Sequence, residues 1–164
     1  MKKDIIPLTI FLLSLLPQVL FSQNKPLVPN DFEVPETFEN QYFRIRSLTV
    51  NDVVKDYDAV MSSIDHLQEM YLPAWNWPTE ELTLEQDLID LGWHQKEFQR
   101  RSSFAYTVVS LDESQVLGCL YIDPCAKNSF DAEIYMWVRA SELANNLDSI
   151  LFSTVKEWVK VNWP

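Results

Sequence analysis

Two cysteines, two histidines and a scatter of carboxylates are the side chains of this 164-residue sequence best suited to covalent or metal chemistry. Cys119 and Cys125 lie six positions apart, no CxxC occurs, and His66 and His94 are distant in sequence. A zinc centre needs more ligands at tighter spacing, so none is supported. A small loop disulfide between Cys119 and Cys125 is open to an exported chain. Two free, buried thiols are the plainer alternative, because Cys119 falls in the middle of an expected strand. With no third partner, His66 and His94 read as structural or solvated. Ser102 and Ser103 have no nearby His-Asp pattern, which leaves a serine hydrolase without support.

Only two glycines occur, Gly92 and Gly118, where average usage near 7% would give about eleven. Phosphate-cradling loops need glycine for positive φ and close backbone approach. Neither GxGxxG nor GxxxxGK[ST] can be drawn from this pair. The formal charge of −11 repels phosphate backbones and anionic headgroups, making nucleic acid a poor partner. The acidic run from Thr79 to Asp90 reads as a solvated helix start favoured by the helix dipole. Trp75 and Trp77 stand between Pro73 and Pro78, either as a binding wall or as a cap on the core edge.

The elements that must position these groups follow from periodicity. Lys2 and Lys3, an apolar stretch from Ile5 to Leu16, and Leu20-Phe21-Ser22-Gln23 have the order of a secretory signal cleaved after Ser22. The expected divisions are a signal over 1–22, an extended linker over 23–40 with three prolines, and one domain over 41–164. Export outside the cytoplasm follows, with no stable membrane anchor after cleavage. Tyr42 to Leu48 alternates as a strand, and Val53 to about Tyr71 carries one apolar helical face. Thr83-Leu84-Glu85-Gln86 is a capping box opening a helix to Arg100, with Leu84, Leu88, Leu91 and Phe98 inward. Phe104–Ser110, Gln115–Ile122 and Asp131–Arg139 read as an antiparallel meander. On the last strand, Ala132, Ile134, Met136 and Val138 face one way; Glu133, Tyr135 and Trp137 face the other. Asn145 or Asn146 then caps a final helix.

That order, with the segments Trp77-Pro78-Thr79, Leu117 to Pro124 (LGCLYIDP) and Ala132 to Arg139 (AEIYMWVR), resembles the GNAT superfamily of acyl-CoA N-acyltransferases. The likeness spans residues 41 to 164. It implies an α/β fold with a mostly antiparallel central sheet of about four strands, helices packed on it, and the C-terminal strands missing. It also implies acetyl-CoA as co-substrate and a small-molecule amine as acceptor. Trp137, Val138 and Arg139 would match the cofactor-contacting strand. Residues 140–146, with Asn145 and Asn146, would match the pyrophosphate turn. Glu133 would be the catalytic base. The turn departs from the family by lacking glycine and by carrying Glu142. The alternatives are an exported, non-catalytic GNAT-like binding module and a truncated, inactive fragment.

Overall fold

The computed structural model describes residues 26–70, 77–127 and 129–164. The expected signal segment and Trp75 lie outside these residues. Five strands form one sheet in the order β1-β2-β3-β4-β5, every neighbouring pair antiparallel: β1 Thr37–Glu39, β2 Arg44–Ser47, β3 Phe104–Val109, β4 Val116–Pro124 and β5 Ala132–Val138. The helices are α1 Val53–Met61, α2 Ile64–Met70, α3 Leu84–Arg100 and α4 Leu147–Asn162. The sheet exceeds the expected four strands because β1 lies in the stretch read as linker.

That stretch is packed from Pro26 onward rather than extended away from the domain. Val28 is buried, and the Arg101 guanidinium donates to Pro29 O and Phe32 O, both at 2.7 Å. The Tyr106 hydroxyl donates to Pro35 O at 2.8 Å. The prolines suggested an extended linker, but Arg101, just past the end of α3, and Tyr106 of β3 take up its carbonyls.

The sheet is covered on both faces. On one, Phe43, Tyr106, Leu120 and Val138 meet Leu151, Val155 and Trp158 of α4. On the other, Cys119 and Trp137 meet Val60 of α1, Leu67 of α2 and Leu91 of α3. Each fully buried aliphatic side chain contributes roughly 1.5–3 kcal/mol, which explains why β3, buried along all six residues, reads as a nearly continuous apolar run.

Two helical expectations change. The helix expected from Val53 to Tyr71 is two helices, broken at Ser62-Ser63. The Ser62 hydroxyl donates to Ala59 O at 3.1 Å, a local bond that competes with helix continuation, and the buried Ser63 hydroxyl accepts the Ala140 N–H at 2.9 Å. α3 keeps its predicted bounds and capping box, with Thr83 N–H donating to Gln86 Oε1 at 2.9 Å and Gln86 N–H to Thr83 Oγ1 at 3.2 Å. Its inward face is rotated, however. Leu84 and Leu88 are 43% and 42% exposed, while Asp87 is only 3% exposed beside buried Leu91. No helix among the described residues is long and apolar enough to cross a membrane.

Candidate functional site

Alternation along β4 and β5 puts Cys119, Tyr121 and Asp123 on the sheet face beneath α1 and α3. Directly across from them stand Trp137, Tyr135 and Glu133. α3 carries Asp87, Asp90, Leu91 and His94, whose spacing of three, four and seven brings them to one side of the helix. Asp56 of α1 closes the end. Between these elements and Trp77 lies a cavity of about 330 Å³, lined by Asp56, Asp87, Asp90 and Asp123 together with His94, Tyr121 and Tyr135.

The electrostatics of this cavity are one-sided. Burial pushes the Asp56 carboxyl up to about 6, against a hydrogen bond from Cys119 Sγ at 3.3 Å. Burial, then the charges of Asp56 and Asp90, push Asp87 up to about 7. Asp123 is also raised, by burial first and then by Glu97 and Glu133. Burial lowers His94 despite its acidic neighbours Glu97 and Asp90, which favours the neutral imidazole, its ring 5.1 Å from that of Tyr121. Cys119 is held protonated by burial and by Asp56, so it is a poor nucleophile. Both cysteines are free thiols, Cys119 buried and Cys125 half-buried.

A second groove, of about 240 Å³, lies at the outer edge of β5. Met136, Trp137 and Val138 form its strand side, and His66, Leu143 and Phe152 are among the residues opposite. β5 pairs only with β4, and Arg139 N–H donates to Leu117 O at 2.8 Å. Antiparallel alternation then directs the backbone groups of Trp137 toward β4 and those of Met136 and Val138 toward the open edge. At the end of this groove α4 begins. Leu147, Asp148 and Ser149 have no intrahelical acceptor for their N–H groups, and Ile150 is the first to bond back, to Asn146 O at 3.1 Å.

The residues singled out in the sequence are therefore divided. Trp137 and Val138 are buried beside the groove, and the Trp137 indole Nε1 donates to the Tyr121 hydroxyl at 3.4 Å. Arg139 turns back to α1, donating to Asp58 Oδ2 and Ser62 Oγ at 3.1 Å each. Asn145 donates to Glu142 Oε2 at 3.0 Å, and Asn146 takes the cap position of α4 with φ 55° but makes no side-chain capping bond. Glu133 does not line the cavity; burial first, then Glu133, raises the Tyr135 hydroxyl above its ordinary value, and Tyr135 does line it. Tyr135 and Trp137 do not form one exposed aromatic face, since Trp137 is 2% exposed under the helices. Sequence reasoning missed Asp56, Asp87, Asp90 and Asp123. The available signal was Asp87 standing one turn before Leu91 on the stripe that faces the sheet.

No family model matches the sequence, and no curated protein matches it. Solved structures do match the fold. The ribosomal-protein-S5-alanine acetyltransferase from Vibrio fischeri is 15% identical with a TM-score of 0.59, over 77% of this chain and 67% of that one. RimL, a ribosomal L7/L12 alpha-N-protein acetyltransferase in complex with coenzyme A, is 17% identical with a TM-score of 0.60, over 76% and 68%. The microcin C7 self immunity acetyltransferase MccE, in complex with acetyl-CoA and AMP, is 11% identical with a TM-score of 0.57, over 78% and 69%. The chain spans about two thirds of the length of these proteins. It shares the fold of these acetyltransferases, a mixed α/β architecture around an antiparallel sheet.

Proposed function

We propose that this domain transfers an acyl group from acetyl-CoA to an amine. One observation carries the reading: neighbouring residues of β5 open on two different spaces. Tyr135 lines the acidic cavity, and Met136 begins the apolar groove. A donor arm lying along the groove and an acceptor held in the cavity would meet across this strand. The fold neighbours bound to coenzyme A or acetyl-CoA support the choice of donor.

The residues fit the two ends of such a cofactor unequally. The outward backbone groups of Met136 and Val138 suit an amide-bearing arm, and the apolar groove walls suit its methylenes. The N–H groups of Leu147 to Ser149 suit the phosphates by position and dipole. When bound, acetyl-CoA supplies an activated acyl carbon with a thiol as leaving group. The chain must hold the amine, take its proton and keep water out. The Tyr135 hydroxyl faces the cavity with Glu133 two residues away on the same strand face, and together they give the amine proton a route to that carboxylate.

The test is incubation of the full chain with acetyl-CoA and a panel of primary amines, reading release of free thiol. Amine-dependent release that falls at least tenfold in Glu133→Gln is the expected result. No heat on titration with millimolar acetyl-CoA would remove the reading. A second reading, a GNAT-like module that binds without catalysis, is favoured by one feature. Glu142 and Asp148 flank the phosphate end while Arg139 is committed to Asp58 and Ser62. From residues 1–22 we further infer action outside the cytoplasm; sequencing the mature N-terminus tests this, and an intact Met1 in cytosolic protein would overturn it.

A further inference from the structure

The cavity holds a carboxylate that the fold itself does not use. Asp87 is 3% exposed, and its Oδ2 is buried with no hydrogen-bond partner among the described residues. A buried acceptor left unmatched costs about 1–3 kcal/mol, more when charged. Its carboxylate neighbours sharpen the imbalance: Asp56 is 4% exposed, and Asp90 and Asp123 also line the space. Among the described residues no lysine or arginine lines it. The one buried carboxylate outside the cavity among the described residues, Asp52, is fully matched. Asp52, 2% exposed, receives two guanidinium bonds from Arg46 at 3.0 and 2.7 Å, with Thr49 N–H at 3.0 Å. Asp87, buried to the same degree, has no such partner.

The chemistry that would complete this cavity is positive, compact and partly apolar. Asp56 and Asp87 supply counter-charge at the buried end. Tyr121, Tyr135 and Trp77 offer ring surface, on which an ammonium or its methylenes are stabilised. A bare metal ion fits less well, since among the described residues no three His, Cys, Asp or Glu side chains converge to hold one. A volume of about 330 Å³ suits a short alkyl chain with polar ends.

We propose that the cavity binds a small organic dication, an alkyl diamine in its simplest form, with Asp87 and Asp56 holding the ammonium that is not acylated. The inference deepens the acyl-transfer reading and rests on it for the reaction, while binding itself can be measured without any acyl donor. Acceptors with a second cationic centre are then preferred over monoamines of equal length.

The experiment is calorimetric titration of the full chain, without acetyl-CoA, using 1,4-diaminobutane, butylamine, 1,4-butanediol and calcium chloride. The diamine is expected to bind at least tenfold tighter than butylamine, and the diol and calcium to give no heat. Asp87→Asn, which keeps the shape of the side chain, should weaken the diamine at least tenfold. The same variant should melt no lower than the parent at pH 7.5, which separates a binding role from a merely structural one. Equal binding of diamine and diol, no binding of any amine, stronger heat with calcium, or an unchanged diamine affinity in Asp87→Asn would each overturn the proposal. Diamine binding without thiol release from acetyl-CoA leaves the proposal standing and removes the transferase reading. Thiol release with monoamines but no diamine preference does the reverse.

Discussion

The indole of Trp137 and the hydroxyl of Tyr121 meet at 3.4 Å across the β4–β5 ladder, tying the wall of the edge groove to the wall of the acidic cavity. Tyr121→Phe removes the acceptor and leaves a buried donor unpaired, at about 1–3 kcal/mol. We expect a melting temperature lower by about 3 °C per kcal/mol lost. Thermal unfolding followed by Trp fluorescence measures it, and an unchanged midpoint would show that the contact holds nothing together.

Gly118 lets β4 lie against β5. A Cβ placed there would sit 2.0 Å from the Trp137 carbonyl oxygen and 3.0 Å from the Val138 Cα. Gly118→Ala therefore forces the strands apart beside the groove, an overpacking cost of about 1–3 kcal/mol or more. Chemical denaturation should show the loss, and acetyl-CoA heat should fall with it. A variant as stable as the parent would mean that the strand can move without consequence.

Stability should rise as the pH drops from about 8 to about 5. Asp87 and Asp56 titrate near 7 and 6 in the folded chain, against an ordinary carboxylate value of 3.8. Between those limits the folded state binds more protons than the unfolded one, so acid favours folding. Below about pH 4 the sign reverses, because Asp52, Glu113 and Asp112 have lowered values and lose their stabilising partners on protonation. Asp87→Asn should flatten the upper limb of a melting-temperature profile. A profile rising steadily to pH 8 would contradict this.

Asp52 is the hinge pin of a charge cluster in which Arg46 also reaches Glu113 at 3.1 Å and Glu113 pairs with Arg44. Asp52→Asn leaves the half-buried Arg46 guanidinium with Glu113 as its one remaining carboxylate partner among the described residues. Breaking a buried pair from one side costs roughly 3–5 kcal/mol; the partial exposure of Arg46 places this one at about 3 kcal/mol or less. Urea unfolding gives the number, and a change under about 0.5 kcal/mol would reduce the cluster to a surface feature.

Two carboxylates disfavour phosphates at the start of α4. Replacing Glu142 by Gln and Asp148 by Asn together should tighten coenzyme A about fivefold at low salt, since a charge at a helix N-terminus is worth about 0.3–1 kcal/mol. Calorimetry in 20 mM and 300 mM salt reads both the gain and its screening. No gain at low salt would place the phosphates somewhere else.

Much of the scaffold was legible because its signals are local. The capping box at Thr83 set the start of α3, and alternation set β5 to within a residue of its observed bounds. β1 was hidden because three residues among prolines carry no period, and their pairing partner, β2, is supplied by the fold. The helix face was misread at Leu84 and Leu88 for a different reason. Hydrophobic patterning assigns apolar residues inward, and α3 instead turns Asp87 toward the sheet, where a cavity rather than a core awaits it. Arg139 could be placed at a strand end from the sequence, but its choice of Asp58 depends on how α1 crosses the sheet.

The unmatched carboxylate in α3 also sets two selection pressures against each other. Variants screened for heat tolerance alone should converge on neutral residues at position 87, because removing an internal strain is the easiest gain open to this domain. Such survivors would be sturdier and empty-handed. A screen that demands amine capture and thermal endurance together should keep the acid and place its improvements in the outer layers, far from α3.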